Sequence, residues 1–474
     1  MTRLLLSCVL LAASPQMTSE RAGAYAGTAR HASGLELDVA IVLAHDADQG
    51  WSGTIDVPLQ GVQGLPLTDL VVDGATLQAV LPGASVMQLH AEFGETGTTL
   101  TGELRQGELR LALELERDDD YGFEPVARPQ HPLPPFPYRT RDLVAHHPAG
   151  HTLAGTLTLP DPELYGPGPY GTAVLISGGG REDRDSSALG HKPFLVIADY
   201  LTREGLAVFR FDDRGVGQSR ATEATPVGKD ATSLLHATDT SAVVRRLRQE
   251  PELAPDRIGL IGHSEGGMIA PLVTLMDPEV AFIVLLAGPG APGSSVFRKQ
   301  LELEWELQGA DEATVRTLSS ILQSLQAAIV IGEPQERLLA LEQELADAWT
   351  ASDLGRDDGD ANALRDQLRQ FDSPWWRFAF GYDPGPVLAA VDCPVLALNG
   401  TKDRQVWHAQ NLDRIEAAVR GGGGDVTAIR YEDRNHLFQP TKTGAQHEYA
   451  KIEITFDERV LEDIVRWLGE KLLL

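Results

Sequence analysis

Ser264, Asp403 and His436 are of the residue types, and stand in the chain order, that turn a hydroxyl into a nucleophile. Ser264 lies in Gly262-His263-Ser264-Glu265-Gly266, between an apolar run that reads as a buried strand (Arg257 to Ile261) and a segment with the small and apolar residues of a helix start. A strand that turns into a helix within a few residues holds the residue at the turn in a strained conformation and lifts its side chain clear of the sheet. Glycines are needed two residues to either side, because a Cβ there would strike a neighbouring element. The N–H of Glu265, at the start of the helix, points into the same space and supplies half of an oxyanion hole.

A serine hydroxyl attacks only when a base takes its proton and an acid orients the base. Asp403 follows the strand-like "PVLALNG", and His436 follows a second strand candidate, Val426 to Tyr431. Asp383 and Asp392 do not follow that strand as an acid on a strand exit must. His408 is too close to Asp403 and reads as a helix start, while His447, in a polar loop, is the second candidate base. The second oxyanion donor is expected from the glycines after "AVLIS": Gly179 first, with Gly178 beside it. A phosphate-binding loop is excluded there, since no Gly-Lys-Ser/Thr follows. Gly217-Gln218-Ser219-Arg220 lacks both the closing glycine and a preceding strand. His263, Trp375 and Trp376 are candidates for the substrate pocket. His146, His147 and His151 surround Pro148-Ala149-Gly150, which reads as a surface turn; no partner ligand motif accompanies them, so no metal is expected.

These residues need a rigid frame, and the rhythm of the chain supplies one. After Tyr138, strands alternate with helices: "TLAGTLTLP", "GTAVLISGGG", "LAVFRFDDRG", "RIGLIGHS", "VAFIVLLAG" and "PVLALNG". Several are apolar throughout, as in a mostly parallel sheet covered by helices on both faces. Between the last two, residues 292–382 carry helical spacing in Val315, Leu318, Leu322, Leu325 and Ile329, and again in Leu338, Leu341, Leu345 and Trp349. A helical insertion at the carboxyl edge of such a sheet caps the crevice where ligands bind. The chain closes with an amphipathic helix, Asp457 as its N-cap and Val460, Ile464, Trp467 and Leu468 inward.

Upstream the period is two. Leu35, Leu37, Val39, Ile41 and Leu43 alternate with polar or small residues, as do Leu109, Leu111, Leu113 and Leu115, with turn signals such as Asp73-Gly74 and Glu95-Thr96-Gly97 between them. This predicts a barrel- or sandwich-like antiparallel β-domain over residues 25–118. The proline-rich stretch 119–138 reads as a linker.

At 474 residues two or three domains are expected. The formal net charge of −28 argues against nucleic acid and anionic membrane surfaces as partners. No run approaches ~18 uninterrupted apolar residues, so membrane insertion is not expected. Residues 1–24 have the form of a secretory leader, with an apolar stretch from Leu4 to Ala13 and small residues suited to cleavage after Ala24 or Ala26. Export to a periplasmic or extracellular location is the corresponding expectation. Of the two cysteines, Cys8 lies in that leader and Cys393 begins a strand, which leaves no internal disulfide.

Residues Pro134 to Leu474 resemble bacterial carboxylesterases of the α/β-hydrolase superfamily, in the group with an N-terminal β-domain. The resemblance rests on "PPFPYR", "VLISGGGREDRD", "GHKPFLVIADYLTREGLAVFRFDDRGVGQS", "IGLIGHSEGG", "LLAGPG", "SPWWRFAFGYDP", "PVLALNGTKD" and "NHLFQPTKTG". It implies an α/β-hydrolase fold over residues 139–474 with a helical cap, preceded by a small all-β domain, and hydrolysis of a small-molecule ester through Ser264, Asp403 and His436 without a cofactor. The family more often has Ser-Gly-Ser-Gly where this chain has Ser177-Gly178-Gly179-Gly180, which keeps the backbone donors and removes a serine. The same triad also serves peptidases, thioesterases, acyltransferases and deacylases of glycans, and the fold also exists as a binding module without catalysis.

Overall fold

The computed structural model describes residues 21–472, apart from 32–35, 47, 59–61, 83–86, 107–108, 124–125, 353, 355–363 and 366–367. The chain divides into two compact units, one ending at Val126 and the other beginning at Ala127.

The first unit is an antiparallel sheet of β1 (Gly23–Arg30), β2 (Glu36–Asp46), β3 (Gly50–Val57), β4 (Val62–Pro66), β5 (Thr68–Asp73), β6 (Thr76–Leu81), β7 (Met87–Phe93), β8 (Thr99–Gln106) and β9 (Leu109–Arg117). The order is β4-β3-β2-β1-β9-β8-β7-β6-β5. The two end strands are separated only by Leu67, whose N–H donates to Gly53 O of β3 at 2.9 Å. The ribbon therefore curls back on itself as a barrel, which covers its edges. The period-two residues face inward: Leu37, Val39, Ile41 and Leu43 are buried, as are Leu111, Leu113 and Leu115. The expected leader, with Cys8, lies outside the described residues up to residue 20. Its expected end does not: β1 begins at Gly23, pairs Ala24 with Val42 and buries Tyr25 completely, so cleavage after either Ala24 or Ala26 would cut a paired strand.

The second unit carries a sheet of β10 (Arg139–His146), β11 (Thr152–Leu159), β12 (Tyr170–Ile176), β13 (Ala207–Phe211), β14 (Leu253–His263), β15 (Ile283–Leu286), β16 (Val395–Gly400) and β17 (Val426–Tyr431). The order is β10-β11-β13-β12-β14-β15-β16-β17. From β13 through β17 all pairings are parallel, and β10 and β11 add an antiparallel edge. β10 escaped the sequence reading because most of its residues, Arg139 to Asp142, Val144 and His146, are exposed at the edge of the sheet and only Leu143 and Ala145 are buried. On β12 the side chains alternate between two cores. Val174 and Ile176 join a core with α2 (Ser233–Leu247), α3 (Gly266–Met276) and α8 (His408–Gly421). Ala173 and Leu175 join the opposite one with α1 (Pro193–Arg203) and α9 (Glu458–Leu472). Inward residues Val460, Ile464, Trp467 and Leu468 are buried as expected, and Asp457 Oδ1 accepts from Arg459 N at 2.9 Å.

Between β15 and β16 stand α4 (Gly293–Leu307), α5 (Glu312–Ile331), α6 (Gln335–Thr350) and α7 (Pro374–Gly381), with their own core of Leu318, Leu322, Leu325, Leu338, Leu341 and Phe380. Helix α5 is long and apolar enough to cross a membrane, against the expectation from uninterrupted runs. Its inner face is committed to this core. The expected linker 119–138 is only partly one. Arg128 donates to Ala450 O and Ile452 O at 2.8 and 2.9 Å, and Gln130 accepts from Thr455 N and Phe456 N through Oε1 and donates to Phe456 O. Residues 127–138 thus belong to the second unit.

Candidate active site

Ser264 sits between β14 and α3 with φ of +53°, a left-handed conformation that costs a non-glycine residue free energy. Its N–H donates to Leu286 O at 2.8 Å, which pins the turn to the next strand. The flanking glycines are required by contact. A Cβ on Gly262 would stand 2.0 Å from Gly266 O, and one on Gly266 would stand 2.2 Å from Ile176 O.

Asp403 and His436 are brought together from the exits of β16 and β17. His436 Nδ1 and Asp403 Oδ2 are 2.8 Å apart, both groups being buried. The other oxygen, Asp403 Oδ1, accepts from Gln405 N and Val406 N at 2.8 and 2.9 Å, so the carboxylate is fixed on both sides. The two loops are stitched by Lys402 N donating to Arg434 O at 3.0 Å. They come this close because residue 400 is glycine: a Cβ there would meet Arg434 O at 2.2 Å. Asn435, fully buried, accepts from Leu437 N and Gln439 N through Oδ1 and shapes the turn that carries the histidine. His263 lies against His436, with ring centroids 4.7 Å apart and its Nε2 2.9 Å from His436 O. Burial pushes the His263 imidazole down to about 3, so it is neutral and donates from Nε2 to that carbonyl. It packs on the His436 ring and holds the backbone of that residue.

The glycine loop runs past Ser264. A Cβ on Gly178 would lie 3.3 Å from Ser264 Cβ and 3.2 Å from Glu182 Oε1; one on Gly179 would lie 3.1 Å from Glu265 Oε2 and 3.5 Å from Trp375 Cζ2. Of the two cap tryptophans, Trp375 reaches the site. Trp376 packs instead against Phe297, Phe371 and Phe380 in the cap, because successive residues of a helix face different ways.

Three acids surround this loop, Glu265 and Asp213 buried and Glu182 partly buried; the sequence reading had given Glu265 a backbone donor's role and the other two none. Glu265 Oε1 accepts from Ser233 Oγ at 2.5 Å and Trp375 Nε1 at 2.8 Å. Asp213 Oδ1 accepts from Ser177 Oγ at 2.7 Å, and Glu182 Oε2 from Ser186 Oγ at 2.5 Å. Burial pushes each carboxyl up to about 7, against the pull of these donors. The signal lay in "GGGRED" and "FDDRG", but which acids fold inward is a property of the sheet topology that sets their strand exits side by side.

The histidine turn also departs from expectation. His146 ends β10 and His147 follows in the turn, but His151 is buried, stacks on His147 at 4.2 Å and places Nε2 2.7 Å from Asp239 Oδ1 of α2. His147 Nε2 is 3.9 Å from the same oxygen. Together they form a trio of metal-ligand types, yet their hydrogen bonds do not fit a metal. His147 Nδ1 accepts from Ala149 N, which puts its proton on Nε2, and Arg214 Nε already holds Asp239 Oδ2 at 2.7 Å. His408 opens α8, and His447 lies in the single helical turn Gln446–Tyr449.

Residues 192–438, just over half of the chain, match the family model described as serine aminopeptidase, S33. Esterase EstD of Thermotoga maritima is 24% identical over 394 residues, which cover 80% of this chain and 81% of that protein. Among solved structures, the Pyrococcus furiosus esterase Pf2001 aligns with 13% identity and a TM-score of 0.41, over 70% of this chain and 90% of its own. Est1E of Butyrivibrio proteoclasticus aligns with 15% identity and a TM-score of 0.39, over 70% and 99%.

Proposed function

The chain belongs to the serine aminopeptidase S33 family of α/β-hydrolases, and from that premise we propose that it is a carboxylesterase working through an acyl-enzyme. The observation that carries the reading is a serine held at φ +53° by glycines that admit no side chain, beside a histidine whose Nδ1 is 2.8 Å from a buried aspartate.

His436 takes the proton from Ser264, whose oxygen attacks the acyl carbon. The oxyanion forms against the N–H groups of Glu265 and Gly179. Gly178, whose N–H faces the Glu182 carboxylate, is the poorer donor. Asp403 holds the imidazole in the tautomer that presents Nε2 to the serine and stabilises its charged form. The alcohol leaves with the proton from His436, and water releases the acid by the same route. The leader-like residues 1–24 support export.

The family's name raises amide cleavage as the alternative, and the likeness to esterase EstD favours esters. Rates on a matched acetyl ester, anilide and thioester decide between them. An ester rate at least 100-fold above the anilide rate is expected; a faster anilide would assign a peptidase.

A further inference from the structure

The loop that must deliver the second oxyanion donor contains three successive glycines, Gly178 to Gly180. Such a segment has little conformational preference of its own, so its shape must be imposed from outside. The residue that imposes it is Asp213, 5% exposed and two positions beyond the end of β13. β12 and β13 are parallel neighbours, with Leu175 paired to Arg210, so their carboxyl ends open side by side. Across that gap Asp213 Oδ1 accepts from Ser177 Oγ at 2.7 Å, and Oδ2 accepts from Glu182 N at 2.9 Å. Its own N–H donates to Glu182 O at 3.1 Å. One carboxyl group therefore holds both ends of the glycine loop, at the residue before Gly178 and at the second residue after Gly180. The adjacent Asp212 continues the clamp, Oδ1 accepting from Arg184 N at 2.9 Å and Oδ2 from Gln218 N at 2.8 Å.

We propose that Asp213 is a positioning residue for ester hydrolysis, fixing the curvature of residues 177–182 so that the Gly179 N–H meets the oxyanion formed on Ser264. The inference rests on the esterase reading above. Asp213 is buried and reaches the site through the loop it holds. Its requirement is for one group that bonds Ser177 Oγ and one that accepts from Glu182 N–H. Asparagine meets both, donating from Nδ2 to the serine and accepting through Oδ1; alanine meets neither.

The test compares Asp213→Ala, Asp213→Asn and Ser177→Ala with the wild-type chain on 4-nitrophenyl acetate, well below each protein's melting temperature. Loss of one oxyanion donor lowers kcat by about 10²–10³-fold. For Asp213→Ala we expect a fall in kcat of about 100-fold with KM within about twofold, and for Asp213→Asn a kcat within about fivefold of wild type. A folded Asp213→Ala protein with kcat within threefold of wild type, or one whose loss lies in KM alone, overturns the positioning role. So does an asparagine variant as impaired as the alanine one. Should Asp213→Ala not fold, Ser177→Ala carries the test: a kcat about tenfold down supports the clamp, and an unchanged kcat overturns it. An active wild type with unaffected variants sinks only the positioning role, whereas a wild type inert on every ester sinks the esterase reading and this inference with it.

Discussion

Trp375 of the cap donates its indole N–H to Glu265 Oε1 at 2.8 Å, and Glu265 is the residue that immediately follows Ser264. A single hydrogen bond thus joins the cap, built from residues inserted between β15 and β16, to the residue whose backbone N–H is proposed to meet the oxyanion. The indole also lies across Gly179, so both proposed oxyanion donors are beside it. Cap position and oxyanion geometry are physically linked at this point.

Trp375→Phe keeps an aromatic ring and deletes the donor. A hydrogen bond to a buried acid is worth about 1–3 kcal/mol, so the cap helix Pro374–Gly381 should open more readily. Its amides are expected to exchange hydrogen for deuterium roughly tenfold faster in the variant, with the central strand β12 unaffected. Unchanged exchange in that helix would show that the bond does not hold the cap.

Glu265 also shapes the response of stability to pH. Burial raises its carboxyl to about 7, above the ordinary glutamate value, so the folded chain keeps a proton that the unfolded chain releases between about pH 4.5 and 7. The resulting stabilisation is complete below about pH 4.5 and is lost as pH rises through about 7. Glu182 and Asp213, raised for the same reason, act in the same direction. Glu265→Gln, which carries no titrating group, should lose less melting temperature between pH 5 and pH 8 than the wild type does. Thermal melts at the two pH values check this, and an equal loss in both proteins would contradict it.

Asp403→Asn leaves the volume unchanged but alters what His436 Nδ1 meets. Two backbone N–H groups hold one oxygen of the side chain, so the amide's NH₂ is turned toward the histidine and favours the wrong tautomer. A fall in kcat of about 10³–10⁴-fold is expected with little change in melting temperature. A variant within tenfold of wild type on a short-chain ester would remove Asp403 from the orienting role.

The parts of this molecule with local signatures were legible in the sequence. Uniform apolar runs gave β12, β14, β15 and β16, the 3.6-residue period gave α5 and α6, and period two gave β2 and β9. The places of Ser264, Asp403 and His436 at strand exits were legible because each has its own flanking pattern. What escaped depends on which distant segments the fold sets side by side. Asp239 completes the histidine cluster from a helix 88 residues beyond His151, and Asp213 reaches back 36 residues to Ser177. Trp375 and Trp376 looked equivalent in sequence; the roughly 100° of rotation between successive helical residues separates one at the site from one in the cap core. The boundary near residue 126 was blurred because proline-rich chain reads as linker even where, as at Arg128 and Gln130, it is hydrogen-bonded to a domain.

The central claim is that Ser264 is the nucleophile. Incubation with a fluorophosphonate, followed by mass mapping of the labelled peptide, tests it most directly. The account predicts stoichiometric labelling at Ser264, loss of ester turnover in step with labelling, and neither labelling nor turnover in a folded Ser264→Ala protein. Labelling at another serine, or turnover that survives the alanine substitution, would contradict it.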